Sequence, residues 1–460
     1  MVKRAIRDPV HHAHPPATPL KLFRLLPTAL RQRLESQPVL AAILVNIGWL
    51  FVDKVLRMGG GLLVAIWVAR YLGPEQFGQW SYAVALAGLF GVAAGLGLNG
   101  IVVRDLVREP TGANATLGTA MVLLLLASPV AVALMLGVVC WLRPDDALTL
   151  SMVAVLGLGM LCKFSEVVKF WFESQVQSRH SVWVENGAFL VLAGVKLAMV
   201  AWRAPLMAFV WAGFAEAALV AAGLLAIYGA RGHRMRAWKP QISRAATLLK
   251  DSWPLMLSGL AIMVYMRIDQ IMLGEMLGDK EVGTYSAAVR LSEIWYFIPV
   301  MIASSVFPSA IEARKHSEAL YYRRLQTLFN LMAFSAIVIA VPMSFCSGWI
   351  VTTLYGSEYR QAGSVLAINI WAGVFVFLGV ASSNWLLSEN LQLLSFYRTA
   401  LGALVNIALN FLLIPKYGAQ GAAVATLVSQ VVAAFCSDLL SRKTRVIFFM
   451  KLKALSLGML

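Results

Sequence analysis

Long apolar runs separated by short polar breaks occupy nearly the whole chain. Twelve windows are long and apolar enough to read as spanning helices: 43–70, 79–102, 115–141, 148–171, 181–201, 205–228, 252–275, 285–311, 325–346, 361–387, 393–414 and 419–440. They are rich in Leu, Ala, Val, Ile and Gly throughout, without the two-residue alternation of barrel strands. The pattern predicts an all-α polytopic membrane protein with twelve transmembrane helices. A basic connection at 231–251 divides them six and six. The expected organisation is a Pro-, His- and Arg-containing tail (1–38), a six-helix bundle (39–230), a linker (231–251), a second six-helix bundle (252–441) and a basic tail (442–460) that lies on the membrane surface.

One polar break recurs. Leu72-Gly73-Pro74-Glu75-Gln76-Phe77-Gly78-Gln79-Trp80-Ser81 returns at an offset of 205 as Leu277-Gly278-Asp279-Lys280-Glu281-Val282-Gly283-Thr284-Tyr285-Ser286. The windows 72–86 and 277–291 agree at seven of fifteen positions, including Gly73/Gly278 and Gly78/Gly283. Glycine ends helices readily, but here the match runs on into the following apolar helix. Two pseudo-symmetric halves are expected, with a site between them.

Composition agrees. Hydrophobic residues make up 59% of the chain and charged ones 13%, against roughly 25% charged in a soluble domain. The net charge of +16 invites a nucleic-acid reading, which its placement removes. With the amino terminus cytoplasmic, 27 of the 39 basic residues fall on that side and six on the other. That asymmetry is the positive-inside rule, and it puts both termini in the cytoplasm. Anionic membrane lipids are the expected partners of these bases.

With Arg70, Lys169 and Arg398 counted among the loop charges, six basic residues remain inside the predicted helices: Lys54, Arg57, Lys163, Lys196, Arg267 and Arg290. A charge at mid-bilayer costs ~2.5–3.5 kcal/mol, so each needs a counter-ion or a wet cavity. Two readings compete. Internal ion pairs, such as Asp53 with Arg57, Lys163 with Glu166 and Arg290 with Glu293, would fasten helices together. A hydrated central cavity would instead present the cations to an anionic substrate, with Arg57, Arg267 and Arg290 foremost. The readings are compatible, because a paired arginine can exchange its partner for a phosphate.

Other chemistry finds little footing. The four cysteines lie in or beside apolar runs without metal spacing. All six histidines fall outside the predicted helices, and His11, His12 and His14 form a surface tract. No metal site, cofactor or catalytic constellation is expected. Gly59-Gly60-Gly61 lacks any nucleotide-loop context and reads as close helix packing or a flexible point.

The run Ala69-Arg70-Tyr71-Leu72-Gly73-Pro74-Glu75-Gln76-Phe77-Gly78 with Ser81-Tyr82-Ala83 resembles the first-loop signature of Wzx-type oligosaccharide flippases. These belong to the multidrug/oligosaccharidyl-lipid/polysaccharide (MOP) exporter superfamily. Arg267-Ile268-Asp269-Gln270-Ile271-Met272-Leu273-Gly274, with Val282-Gly283-Thr284-Tyr285-Ser286 and Arg290-Leu291-Ser292-Glu293, is similar in the second half. The resemblance implies a MATE-like pair of rocking six-helix bundles rather than an enzyme. It implies transfer of undecaprenyl-diphosphate-linked oligosaccharide from the cytoplasmic to the periplasmic leaflet of a bacterial inner membrane, for O-antigen, capsule or exopolysaccharide. A polysaccharide polymerase and a chain-length regulator are its implied partners. Coupling to a proton or sodium gradient is also implied for some relatives, and Asp53, Asp269, Glu216 and Glu293 are the available carriers. Alternatives are a cation-coupled multidrug exporter, which calls for a more acidic cavity, and a membrane-embedded polymerase or ligase, which calls for a large external loop. A non-transporting scaffold would use its buried charges structurally only.

Overall fold

The computed structural model describes residues 56–456; Lys54, Asp53 and the tail 1–38 lie outside the described residues. Every regular element among those residues is helical. After a wide turn at Leu56–Gly60 come α1 (Gly61–Gly95), α2 (Leu98–Arg108), α3 (Ala113–Leu142), α4 (Ala147–Leu161), α5 (Glu166–Ser174), α6 (Arg179–Ala201) and α7 (Leu206–Ala230). The second half comprises α8 (Ile242–Leu277), α9 (Asp279–Glu293), α10 (Phe297–Arg314), α11 (Glu318–Tyr355), α12 (Ala362–Ser388), α13 (Gln392–Ala434) and α14 (Arg445–Leu455).

Ten continuous helical stretches among the described residues are long and apolar enough to cross a membrane. The windows 43–70 and 79–102 contribute to one stretch, as do 393–414 and 419–440. Each of these two stretches is broken inside a long helix by a non-helical glycine, Gly73 (φ 72°, ψ 171°) in α1 and Gly418 (φ 56°, ψ −137°) in α13. At Gly418 the chain folds back. A Cβ on Gly402 would lie 2.7 Å from the Ala433 Cβ, and Asn406 bonds Ser429 at 3.5 Å. Residues so far apart along one straight helix could not touch, since each residue adds 1.5 Å.

The internal repeat is a physical contact. Gly278 has the backbone of Gly73 (φ 91°, ψ 177°), a left-handed φ open chiefly to glycine. Each of these glycines redirects the chain into the next helix. Those helices then meet at Gly78 and Gly283, where a Cβ on Gly78 would fall on the Asp279 carbonyl and one on Gly283 on the Pro74 carbonyl. Pro74 and Asp279 are themselves equivalent at the offset of 205. The contact is therefore self-complementary, as across a two-fold axis.

Apolar packing follows the same plan. One core crosses the lobe boundary and joins Phe77, Tyr82 and Leu86 to Leu273, Val282 and Tyr285. Toward the opposite end each lobe has its own core, around Leu98, Leu124 and Phe172 in the first and Phe329, Phe377 and Trp385 in the second. The lobes are fused near the Gly73 and Gly278 turns and separately packed beyond. α8 bridges that separation. It starts at Ile242, inside the expected linker, and its Leu248 belongs to the first lobe's core. Arg104 to Asp251 at 2.5 Å and Arg244 to Glu109 at 2.8 Å fasten it there.

A single tight turn at Ile294–Tyr296 joins α9 to α10. The Gly59-Gly60-Gly61 run serves close packing: a Cβ on Gly60 would sit 3.2 Å from the Phe189 ring. The carboxy-terminal segment differs from a surface-lying tail. Ile447, Met450 and Ala454 of α14 enter the second lobe's core, and Lys451 is fully buried with its Nζ 2.5 Å from Asp438. Burial pushes the Lys451 ammonium down to about 8, against the opposing pull of Asp438. The alternation of bases with Phe448, Phe449, Met450 and Leu452 fitted either a lipid face or a protein face, and packing against α11 selects the latter.

Candidate functional site

The first lobe holds a cavity of about 480 Å³ among α4–α7, lined by Lys163, Glu166, Lys169, Glu185 and Glu216. Lys163 lies 3.3 Å from Glu166, the pairing expected one helical turn on. Lys196 reaches Glu216 at 2.9 Å, and Glu185 accepts Lys169 at 2.9 Å and Arg57 at 3.5 Å. Arg57, Lys163 and Lys196 are thus all ion-paired, and Glu216 is engaged by Lys196. The Lys163 and Glu166 side chains stay 26% and 39% exposed. Pairs that wet gain little net energy, so partner exchange with an incoming anion is cheap.

Between the lobes, Arg290 of α9 reaches the first lobe. Its guanidinium lies 4.9 Å from the Phe77 ring centre and 5.9 Å from that of Trp80, in cation–π geometry. The expected partner Glu293 instead takes Arg267 of α8 at 3.2 Å. Two cations and one carboxylate therefore sit at this boundary. The facing aromatics draw Arg290 across, while Glu293 turns toward α8.

The second lobe holds a cavity of about 340 Å³ lined by residues including Asp269, Tyr285, Glu293, Arg398 and Thr426. Asp269 is 1% exposed. Its Oδ2 accepts from Tyr285 at 2.5 Å and Thr426 at 2.6 Å, and its Oδ1 from Asn410 at 2.5 Å, whose amide also bonds Asn406 at 3.1 Å. Three donors from α9 and both legs of α13 satisfy one carboxylate of α8.

A cross-lobe clasp stands beside the Gly78–Gly283 contact. Arg143 bonds Glu275 at 2.8 Å and Asp279 at 2.9 Å in the second lobe, and Asp146 at 3.4 Å in its own. The Tyr82 ring lies 3.9 Å from the guanidinium. Burial would raise the Asp146 carboxyl, but bonds from Thr149 and the Arg143 charge outweigh it and hold it below the usual carboxylate range.

Of the ten residues singled out from sequence, Arg267, Arg290 and Glu293 come together at the lobe boundary. Arg57, Lys163, Lys196 and Glu216 gather in the first lobe, and Asp269 stands in the second. Lys54 and Asp53 are not described. Sequence reasoning passed over Arg398 and Arg143 as loop charges, and counted Lys169 with them although it continues the three-residue spacing of Lys163 and Glu166. It also missed Asn406, Asn410 and Thr426, although two amides four residues apart in an apolar helix are a readable signal.

Two helical lobes fused at one end, with polar cavities and buried charges, define the class: a two-lobed polytopic carrier fold. The chain belongs to the polysaccharide biosynthesis protein family, which it matches over residues 43–313, and so to the MOP superfamily. Residues 254–412 also match the MatE family. The chain is similar to the probable low-salt glycan biosynthesis flippase Agl15 of Haloferax volcanii, 24% identical over 398 residues, covering 83% of this chain and 79% of that one. In fold it is similar to the lipid II flippase MurJ in an inward closed conformation, with TM-score 0.69 and 15% identity over 90% of this chain and 91% of that one. An inward-facing MATE family multidrug resistance transporter of the MOP superfamily gives TM-score 0.68 and 15% identity over 90% and 98%.

Proposed function

We propose that this chain is a flippase that carries a lipid-diphosphate-linked oligosaccharide repeat unit from the cytoplasmic to the periplasmic leaflet of a bacterial inner membrane, for surface polysaccharide synthesis. The observation that carries the reading is a cavity of about 480 Å³ inside one lobe, lined by partly exposed ion pairs, in a chain from this family. Sugar and diphosphate need a polar path through hydrocarbon, and the prenyl tail does not. Cations held in exchangeable pairs suit a diphosphate, which binds arginine in two-point geometry. Lys163, Lys196 and Arg57 receive the headgroup in the first lobe, and Arg290 and Arg267 at the boundary. Asp269, held by three neutral donors in the second lobe, is the favoured coupling-ion carrier, since Glu216 and Glu293 are occupied by Lys196 and Arg267. The protein acts as a carrier and not as an enzyme, with a polymerase and a chain-length regulator downstream.

The test is complementation of a flippase-null strain. Arg57→Ala, Arg267→Ala and Arg290→Ala are each expected to lower surface polysaccharide by tenfold or more, about 1.4 kcal/mol of lost interaction, at unchanged protein level. Lysine at 290 separates charge from planar geometry: rescue means that a point charge suffices. Normal export by all three alanine variants would exclude the cationic path.

In the proposed orientation the chain crosses the membrane twelve times, with Gly73 and Gly418 as turns and both termini cytoplasmic. Single cysteines at Pro74 and Lys280, in a background lacking the native four, are then expected to react with a membrane-impermeant maleimide added outside spheroplasts. One at Arg236 should react only after lysis. The reverse pattern would invert the topology.

A further inference from the structure

The second lobe buries more positive than negative charge at one end of its cavity. Arg398 of α13 is 8% exposed, Lys451 of α14 is 0% and Asp438 is 3%. The one carboxylate of the three is taken by Lys451, at 2.5 Å. Arg398 is left with neutral acceptors: Ser382 Oγ at 2.8 Å, Ser383 Oγ at 2.8 Å and the Gly379 carbonyl at 3.4 Å. Both serine hydroxyls donate onward to backbone carbonyls of the same helix, so they stabilise the cation as dipoles only. These contacts engage three of the five N–H groups of a guanidinium. The Nε–H and one Nη1 hydrogen have no protein acceptor among the described residues.

Arg398 lines the same cavity as Ser383, Asn384, Thr399 and Gln430. The other carboxylates of that cavity are committed elsewhere: Asp269 to Tyr285, Thr426 and Asn410, and Glu293 to Arg267. Asp438 is near enough to act on both cations, but one carboxylate between two leaves a net positive charge. Burying that charge is costly, several kcal/mol in proteins, unless something in the cavity neutralises it. The planar fork of arginine matches tetrahedral oxyanions.

We propose that the second lobe contains an oxyanion subsite at Arg398, separate from the first-lobe cavity, which takes a phosphate group. The serine pair orients the guanidinium, and the Lys451–Asp438 pair behind it withholds the one nearby carboxylate. The phosphate is either free or borne by a polyprenyl lipid. This subsite goes beyond the transport reading, because it stands on the charge arrangement of one lobe and is measurable in a protein that exports nothing.

The test follows thermal unfolding of the full chain in neutral detergent, with inorganic phosphate titrated against chloride at matched ionic strength. A parallel series uses polyprenyl phosphate in nanodiscs. A ligand that binds only the folded state raises the unfolding temperature with its concentration. The expected result is a phosphate-dependent rise that is smaller in Arg398→Gln than in the wild type. In a Lys163→Gln background, which weakens the first-lobe site, part of the rise should remain and disappear on adding Arg398→Gln. Without phosphate, Arg398→Gln should unfold at or above the wild-type temperature, whereas loss of a purely structural arginine would lower it. If Arg398→Gln proves aggregated by size exclusion, Arg398→Lys is the second probe. It should fold and bind phosphate at least tenfold more weakly. A rise with both ligands identifies phosphate itself as the guest, and a rise with the polyprenyl form alone identifies a lipid-borne one. No rise in the wild type with either ligand, or a rise as large in Arg398→Gln as in the wild type, overturns the subsite. Loss of export in the complementation assay bears on the transport reading and leaves this measurement unaffected.

Discussion

Replacing Gly283 by alanine is expected to abolish export, to below about one-hundredth of wild type, while the protein still inserts. Van der Waals contact leaves no room here: the added Cβ would overlap the Pro74 carbonyl oxygen of the other lobe. That obstacle is backbone, so no rotamer change relieves it. Ordinary overpacking costs about 1–3 kcal/mol, and a two-state equilibrium moves tenfold for every 1.4 kcal/mol. One methyl group therefore opposes the lobe contact by about fivefold to a hundredfold or more. Gly78→Ala should act alike, because its Cβ would meet the Asp279 carbonyl in the reciprocal position. The clasp of Arg143 with Glu275 and Asp279 stands beside this contact and should loosen with it. A cysteine at Tyr82, buried at 0% exposure, would then become reactive to an impermeant thiol reagent in Gly283→Ala and stay protected in the wild type. Normal export with Tyr82 still protected would show that the two carbonyl contacts do not hold the lobes together.

This contact was legible in the sequence as a repeat and illegible as a contact. The offset of 205 marks Gly78 and Gly283 as equivalent, yet nothing in a single sequence says that equivalent glycines touch. The hydrophobic pattern located the membrane helices because lipid enforces length and apolarity on each one separately. It ran short where tertiary packing decides. Arg398 sits near a predicted helix end, where positional bias reads it as a cytoplasmic loop charge, and only the fold buries it against Ser382 and Ser383. Arg290 and Glu293 have the spacing of a local pair, and helical geometry allows it. Rings on the opposite lobe, out of reach of any local rule, take the arginine instead. Lys163 with Glu166 is the converse case, a local pairing that tertiary structure leaves intact. Screening only ionisable residues hid Asn406, Asn410 and Thr426, although an amide in hydrocarbon needs a partner for the same reason that a charge does.

The Asp269→Asn variant should lose gradient-driven export almost completely, the second large effect. Every partner of this carboxylate donates: Tyr285 and Thr426 to Oδ2 and Asn410 to Oδ1. An amide turns one acceptor into an NH₂ group, which must face either the Asn410 amide or two hydroxyls. Asn410 cannot simply flip, because it also donates to Asn406. A hydroxyl can rotate to accept, so the amide nitrogen should settle beside Tyr285 and Thr426. Thr426 can bond the Ala422 carbonyl instead, at 3.0 Å, which limits the loss to one bond, about 1–3 kcal/mol. The fold survives that, and the variant should purify as a monodisperse protein. The carboxylate does not survive, and with it goes the group proposed to carry a coupling ion in the second lobe. In proteoliposomes, transport driven by an imposed sodium or proton gradient should fall to background, and exchange at equilibrium without a gradient should persist. Thr426→Ala and Asn410→Ala, which keep the carboxylate, should lower the apparent affinity for the driving ion and leave the maximal rate largely intact. Full gradient-driven transport by Asp269→Asn would move the coupling site to another carboxylate, with Glu216 and Glu293 next in line.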